Sequence, residues 1–411
     1  MARRYVKSSL EGFSPSEERV VSPSSASDLP GSCRVGFSTF HHFHEGREIT
    51  QVKSSDDQVT TGYTHLGLPF LIVADGYYGM DEKGQEKLKD LNDQLCSLIP
   101  SYADALQSGY LPTVTTMKGL FEEIIKLREA YPEHQGRPDF TLSLAITYQK
   151  NGKNYCAGFG IGDTGIVLQH GDQVSQLAVD TAVNDTKEGF DCDVSGSAET
   201  VWAHNSVFCD REIEAGDTLL GYTFLFDLTR IAALNSEIDK PASLVRSETG
   251  DDITRRTLQV PDFKSAEGSL LDYVVKKNQT DAAYYQAKAK ENKLSAKAGD
   301  DCAMATVVIP TPALQAKLAI NVRLNDYKEE READPRDYFH CGARYFRGFS
   351  RIQKLAAAAA LENVLIAGAD VSTLVEHEKV LNQGRLGKIY RDALKVIDKP
   401  ASAPSAVPKT N

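Results

Sequence analysis

Runs of apolar residues bounded by turn residues predict most of the strands in this chain. The clearest run, PFLIVA at residues 69–74, is followed at once by Asp75-Gly76. Because it is apolar throughout instead of alternating, it predicts a strand that is buried on both faces. Further strand-like runs occupy residues 142–148, 155–161, 165–168, 218–226 and 303–309. The turn pairs Asn151-Gly152 and Gly171-Asp172 lie between runs, and they predict an antiparallel meander.

Apolar residues at helical spacing dominate two other stretches. Residues 83–131 carry apolar residues three or four apart, which predicts two helices. The same spacing returns after about residue 330 and predicts a small helical appendage over 335–398. Because strands and helices come in groups rather than in alternation, the pattern favours an α+β sandwich over repeated βαβ units.

The two ends of the chain show no period. Residues 1–32 are rich in Ser, Pro and Glu, and residues 399–411 are rich in Pro, Ala and Ser. Such segments do not bury enough apolar surface to fold, so we expect a disordered lead-in and a disordered tail.

Composition excludes several classes of protein. The formal net charge of −11 argues against a chain that coats nucleic acid. The seven cysteines are odd in number and contain no C-x-x-C pair, so we expect a reducing compartment without disulfides or a zinc site. No secretory signal or run of 18 apolar residues is present, which predicts a soluble, cytoplasmic protein.

Acidic residues stand at the ends of several predicted strands. Asp56-Asp57 precedes one strand, Asp75 follows another, Asp163 lies in a turn, and Asp300-Asp301 precedes the last strand. Carboxylates that crowd together raise one another's pKa, so a fold that gathers them usually binds a cation. Ligation by oxygen alone suits Mg²⁺ or Mn²⁺. Asp and Gly are also common turn residues, which is the alternative explanation for any single pair.

In this order, the acidic segments resemble the motifs of the metal-dependent protein phosphatases of type 2C. That family's signature, Val-Ala-Asp-Gly-His-Gly-Gly, is similar to VADGYYG at residues 73–79. The family's acidic opening resembles SDDQ at residues 55–58, and its Gly-Asp turn resembles IGDTG at 161–165. Its closing Asp pair, which precedes a Val-rich strand, resembles DDCAMATVV at 300–308. The resemblance covers about residues 35–310.

The resemblance implies a fold and a cofactor. The fold is a four-layer αββα sandwich of two antiparallel sheets, which we expect over residues 33–315, and the cofactor is Mg²⁺ or Mn²⁺ with two or more ions per site. By position in the motifs, Asp75 corresponds to the ligand that bridges two metals. Gly76 would supply a carbonyl oxygen, and Asp300 would bind the second metal.

The resemblance assigns further metal residues. Asp57, with Asp56 beside it, corresponds to residues that hold metal-bound water, and Asp163 would lie near an accessory metal. Two such cations lower the pKa of a shared water and neutralise charge on phosphoryl oxygens. The expected catalytic residues are therefore Asp57, Asp75 and Asp300.

Three positions depart from the family pattern. Lys53 stands near the place of an arginine that clamps the substrate phosphate, so a bidentate fork is missing there. Tyr77 replaces a histidine that protonates the leaving group, and both Lys53 and Tyr77 are candidate substrate residues. Phe224 replaces one acidic ligand, which leaves Asp227 or Asp217 to compensate.

These departures allow two interpretations. The chain is either a binding-only pseudophosphatase or a hydrolase with an altered substrate, and we favour the hydrolase because the metal carboxylates are kept. The pattern resembles bacterial effectors of this fold that remove AMP or phosphocholine from host proteins. A phosphodiester carries one negative charge rather than two, so it has less need of the missing arginine. A tyrosyl group leaves more readily than a seryl group, so it has less need of the missing histidine.

The predicted function is metal-dependent hydrolysis, by metal-activated water, of phosphate, AMP or phosphocholine from a protein side chain. The expected partner is the modified protein, with no nucleic acid. The apolar faces of the C-terminal helices are expected to pack on the phosphatase core, with a target protein or a membrane surface as the less favoured alternative. The expected location is the cytoplasm, with delivery into a host cell as a secreted effector as a second expectation.

Overall fold

The structure of the chain is a computed structural model. It describes residues 58–76, 82–132, 137–162, 164–178, 206–223, 304–333 and 349–397, the short strands at 7–8, 42–44 and 47–49, and residues 264, 270 and 273. The strands are β1 Lys7–Ser8, β2 His42–His44, β3 Arg47–Ile49, β4 Gln58–Tyr63, β5 Pro69–Gly76, β6 Phe140–Lys150, β7 Lys153–Ile161, β8 Gly165–His170, β9 Gln173–Ala178, β10 Ser206–Ile213, β11 Thr218–Tyr222 and β12 Met304–Val308.

The strands form two main antiparallel sheets. The first sheet has six strands in the order β1-β4-β5-β6-β7-β10, and the second has four in the order β12-β11-β8-β9. Strands β2 and β3 form a separate pair. Every strand pair is antiparallel, as expected for strands joined by hairpins and helical connections rather than by βαβ units.

Strand β5 lies at the centre of the sandwich and is covered on both faces. Phe70 and Ile72 belong to the core beneath the helices, whereas Leu71 and Val73 belong to the core between the sheets. Successive side chains of a strand point to opposite faces, so an uninterrupted apolar run is required where both faces are buried. The predicted fully buried strand is confirmed.

Two helices cover the outer face of the first sheet. Helix α1 spans Glu82–Ser108 and α2 spans Thr113–Glu129, which confirms the two helices predicted between 83 and 131. Their buried side chains pack on the sheet, as in the edge-to-face contact of Phe121 and Phe159, whose ring centroids are 5.7 Å apart.

The two sheets pack closely against each other. A Cβ atom on Gly221 of β11 would lie 2.5 Å from a methyl carbon of Val73, so only glycine fits at this crossing. The α+β class and the sandwich of two antiparallel sheets with flanking helices are therefore confirmed.

Two features of the sheets differ from the sequence prediction. The Asn151-Gly152 turn joins β6 to β7 and the Gly171-Asp172 turn joins β8 to β9, but β7 and β8 lie in different sheets, so the predicted single meander is wrong. The second difference is strand β10, which pairs with β7 and was not predicted. Its sequence, SVFCDREI, is half polar, and Asp210, Arg211 and Glu212 are exposed on this edge strand.

The C-terminal part of the chain forms a helical bundle. Its helices are α3 Pro312–Glu332, α4 Arg351–Ile366, a 3-10 helix Val371–His377, α5 Glu378–Leu381 and α6 Gly384–Ile397. A single core joins them, with Leu324 of α3, Leu361 of α4 and Ile389 of α6 among its members. The helices predicted around residues 352–360 and 386–397 are confirmed.

Helix α3 connects the bundle to the sandwich. The Gln315 side-chain amide donates a hydrogen bond of 3.1 Å to the Leu66 carbonyl, in the turn between β4 and β5. In that turn Gly67 has a φ of +71°, and a Cβ atom there would lie 2.0 Å from the Gln315 carbonyl oxygen. The turn and the first part of α3 therefore fit only when residue 67 has no side chain.

The domain boundaries at 33–315 and 335–398 stay predictions, as do the lead-in 1–32 and the tail 399–411. Strand β1 lies within the lead-in, and the other residues of these two end segments lie outside the described residues. None of the helices in the described part of the chain combines the length and the apolar character that a membrane span requires.

Candidate functional site

Asp75 and Gly76 end the central strand β5 at one edge of the sandwich. The preceding six residues are buried, whereas Asp75 and Gly76 are half-buried. Asp75 follows Leu71 and Val73 at a spacing of two, so it belongs to the face between the sheets. Asp75, the predicted metal ligand in the most specific of the motifs, thus lies where a buried strand reaches solvent.

The registers bring four strand ends of the first sheet to this point. Gly76 pairs with Phe140 and Asp75 with Thr141, at the start of β6. Gln58, at the start of β4, pairs with Ala74, and Ile161, at the end of β7, pairs with Leu142. We call this region, together with the strand ends of the second sheet described next, the Asp75 edge.

The second sheet contributes three strand ends to the Asp75 edge. Gly165 starts β8 and pairs with Tyr222 at the end of β11, which in turn pairs with Met304 at the start of β12. The short link from Ile161 to Gly165 ties this edge to the first sheet. Within the link, the buried Thr164 hydroxyl lies 3.0 Å from the Ser143 hydroxyl of β6, which hydrogen-bonds the two sheets together.

Most of the predicted site residues lie outside the described residues. These are Lys53, Asp56, Asp57, Tyr77, Asp163 and Asp300, and also Phe224 and Asp227. In the sequence they adjoin strand ends that the structure does place at the Asp75 edge, namely Gln58, Gly76, Thr164, Tyr222 and Met304. Their assignment to a common site stays a prediction.

Asp217 does not compensate for the lost ligand, which corrects one alternative drawn from the sequence. It precedes β11, whose other end reaches the Asp75 edge, so Asp217 lies at the opposite end of the sandwich. One carboxylate oxygen contacts Nδ1 of His170 at 2.6 Å, and the other accepts the Glu214 backbone N–H at 2.8 Å. The carboxylate holds a turn together and is remote from the site.

Two arginines hold the segment that leads into β6, the strand whose start pairs with Gly76. The Arg128 side chain, 5% exposed at the end of α2, donates to the Pro138 carbonyl at 3.0 Å and pairs with the Asp139 carboxylate. Arg137 is half-buried, and its Nε donates to the Tyr131 carbonyl at 3.0 Å. Sequence reasoning missed both arginines, because no motif marks them and only the pairing of β6 with β5 places the start of β6 beside the end of β5.

The donors at this edge suit a hard cation. The Asp75 carboxylate and the Gly76 carbonyl provide oxygen ligands of the kind that Mg²⁺ and Mn²⁺ prefer. Within the described residues no group of three or more His, Cys, Asp or Glu side chains converges. Folds of the type 2C phosphatase class are typically metal-dependent, and the donor chemistry at Asp75 is compatible with that dependence.

Comparisons with solved structures find distantly similar proteins. The chain is similar to PppA, described as a regulatory component of T6SS in Pseudomonas aeruginosa, with 14% identity, a TM-score of 0.32, and coverage of 67% of this chain and 97% of that one. The SpoIIE phosphatase domain of Bacillus subtilis shows 15% identity and a TM-score of 0.31, over 69% of this chain and 95% of that one. For the Mycobacterium tuberculosis serine/threonine phosphatase PstP/Ppp the identity is 14% and the TM-score 0.31, over 68% and 99%.

The family comparison is more specific. No curated protein sequence matches this chain significantly. The family model described as "SidD, catalytic domain" matches residues 18–314, which span all the strand ends of the Asp75 edge. The match starts before, and ends after, the 35–310 range over which the phosphatase motifs were recognised. The chain therefore belongs to the SidD catalytic-domain family, whose members are de-AMPylating hydrolases with the type 2C phosphatase fold.

Proposed function

We propose that this chain hydrolyses the phosphodiester that joins AMP to a side-chain hydroxyl of a host protein, and that it does so at the Asp75 edge. The observation that carries the proposal is the convergence of seven strand ends from two sheets around Asp75. Four of these ends adjoin, in the sequence, the acidic residues that resemble phosphatase metal ligands. Asp75 itself is half-buried at this edge, at the end of a buried strand.

The proposed cofactor is Mg²⁺ or Mn²⁺, with two or more ions held by Asp57, Asp75, Asp300 and the Gly76 carbonyl, and with Asp56 and Asp163 nearby. When bound, such ions lower the pKa of a water molecule and neutralise charge on the phosphoryl group. Asp75 suits the central position among these ligands because it ends a rigid, central strand whose neighbours on both sides restrict its movement.

The reaction transfers the phosphoryl group to water. A bond forms between the water oxygen and phosphorus, the bond between phosphorus and the side-chain oxygen breaks, and AMP and the free hydroxyl leave. The side-chain oxygen takes up a proton, for which Tyr77 is the proposed donor. A phenolic donor is weak near neutral pH, and a tyrosyl leaving group needs the least assistance. Lys53 is proposed to contact the phosphoryl group.

The first experiment compares two aspartates. We expect Asp75→Asn to lower the turnover of an AMPylated protein more than about 100-fold, since even outer contacts of metal ligands cost 10- to 100-fold. Asp217→Asn is the matched control, because Asp217 lies at the opposite end of the sandwich, and it should keep its turnover. The measurement is AMP release with added Mn²⁺.

The same assay separates the possible products. Parallel reactions with phosphorylated and phosphocholinated proteins should release far less product than the AMPylated protein. Equal turnover of Asp75→Asn and the unaltered protein would contradict the assignment of the site. Release of inorganic phosphate or phosphocholine without AMP would contradict the substrate.

A further inference from the structure

We infer that Arg137 binds the phosphodiester of the AMPylated substrate, in place of the arginine that the phosphatase motif has near position 53. The inference rests on the proposed function and names a further substrate-binding residue for it. The feature that carries it is a half-buried guanidinium held beside the strand end that pairs with Asp75.

The first step is position. Arg137 precedes Phe140 by three residues, and Phe140 pairs with Gly76. Three residues of chain span at most about 10 Å, and paired residues in antiparallel strands have Cα atoms about 5 Å apart. Arg137 therefore lies at the same edge of the first sheet as Asp75, where it can serve a phosphoryl group bound at the Asp75 edge.

The second step is preorganisation. The Arg128 guanidinium bonds the Pro138 carbonyl and the Asp139 carboxylate, and both of these residues directly follow Arg137. The backbone after Arg137 is therefore tied to the end of α2. At the same time the Arg137 Nε is tied to the Tyr131 carbonyl just beyond α2. The side chain is thus fixed at its Nε before substrate arrives.

The third step is unused donor capacity. A guanidinium has five N–H donors, and in Arg137 the structure assigns an acceptor to Nε alone among the described residues. The two terminal nitrogens make no bond within that part of the chain. By contrast, Arg128 is paired with a carboxylate and is almost fully buried. The two non-bridging oxygens of a phosphodiester can accept hydrogen bonds from the terminal nitrogens of Arg137.

The charge also matches. An AMP diester carries one negative charge, which a single guanidinium neutralises, whereas a phosphate monoester carries nearly two. One guanidinium is therefore enough to balance the charge of the diester. Such a residue contacts the substrate both before and during the reaction, so its loss should raise KM more than it lowers kcat.

The test is Arg137→Ala, with Arg137→Gln as a second variant that can still donate to the Tyr131 carbonyl. We expect both to raise KM for the AMPylated protein about 10- to 100-fold, as for the loss of a charge-assisted hydrogen bond, and Arg137→Lys to recover part of the loss. The affinity for AMP, measured by calorimetric titration in Mn²⁺, should fall in parallel.

The matched control is Arg211→Ala. Arg211 is an exposed arginine on β10 that donates to the Ser175 hydroxyl, away from the Asp75 edge. It should leave KM and AMP affinity unchanged. Mn²⁺ affinity should be equal in all of these variants, because Arg137 binds the substrate and not the metal.

The outcomes separate the two proposals. An unchanged KM and unchanged AMP affinity in Arg137→Ala and Arg137→Gln would overturn the role of Arg137, even if the unaltered protein releases AMP. If the unaltered protein released no AMP, the proposed function would fail. The AMP titration would then still decide whether Arg137 binds this ligand, and equal AMP affinity of the unaltered protein and the variants would overturn the inference.

Discussion

His170 and Asp217 form the best-defined ion pair at the opposite end of the sandwich from Asp75. His170 is largely exposed, whereas Asp217 is buried, and their contact measures 2.6 Å. The hydrogen bond to Asp217, and then the negative charge of that carboxylate, raise the pKa of His170 above its usual 6.5. The pair therefore stabilises the turn mainly when the imidazole carries a proton.

The sign of the pH dependence follows from that raised pKa. A histidine with a folded-state pKa above its unfolded value contributes stability below about pH 6.5, and the contribution is lost as the pH rises through the folded-state value. We expect His170→Gln to lower the free energy of unfolding more at pH 5.5 than at pH 9. Urea unfolding at both values measures the difference, and a pH-independent effect would contradict the role of the pair.

The same residues show what residue types alone could not decide. Asp75 and Asp217 both adjoin strands, and both were candidates for metal ligation. Their roles differ because β5 ends at the Asp75 edge and β11 begins at the far end. A sequence shows that an aspartate stands beside a strand, but the direction of that strand within the sheet decides which end it occupies.

At the scale of elements, helix α3 is one of the parts that the sequence analysis did not find. Ile320, Leu324 and Tyr327 pack in the bundle core, whereas Leu318 and Val322 are buried on another side of the helix. A helix is recognised in a sequence by apolar residues that recur along one face. Helix α3 buries residues on two faces, so its sequence shows no single apolar period. The helix looks irregular in sequence because it has two packing partners.

Gly67 tests the contact between α3 and the β4–β5 turn. We expect Gly67→Ala to lower the free energy of unfolding by about 1–3 kcal/mol for its left-handed backbone and by a further 1–3 kcal/mol for the clash with Gln315. Gly171→Ala is the matched control, since Gly171 has a φ of +58° and nothing within 4 Å of a Cβ atom. Denaturant unfolding of both variants would show equal losses if the turn did not contact α3.

At the scale of the whole molecule, the Asp75 edge and the bundle lie at different ends. Helix α3 contacts the turn between β4 and β5, and both strands have their other ends at the Asp75 edge. The described bundle therefore lies away from that edge.

Metal binding should stabilise the whole molecule. A ligand that binds the folded state alone raises the free energy of unfolding by about 2.7 kcal/mol at 100 times its Kd. We expect Mn²⁺ to raise the midpoint of thermal unfolding of the metal-free protein, and Asp75→Asn to remove most of that increase. The measurement is a melting curve with and without Mn²⁺ after treatment with a chelator. An equal increase in both proteins would place the metal elsewhere.

The sequence by itself determined the class of fold and the family. Apolar runs, turn pairs and helical spacing depend on neighbouring residues, so β5, the hairpins at 151–152 and 171–172, and helices α1, α2, α4 and α6 were all predicted. The Val-Ala-Asp-Gly segment identified the phosphatase resemblance because its residues are adjacent in the chain. These are local properties, and a sequence records them directly.

Only the tertiary structure decided which distant residues meet. The change of sheet between β7 and β8, the edge strand β10, the exclusion of Asp217 and the position of Arg137 all depend on strand pairing between remote segments. Pairing is set by the packing of both faces of each strand against the rest of the molecule, which no short stretch of residues contains. For that reason the sequence identified Asp75 as a candidate, whereas the strand ends that surround Asp75 emerged from the fold.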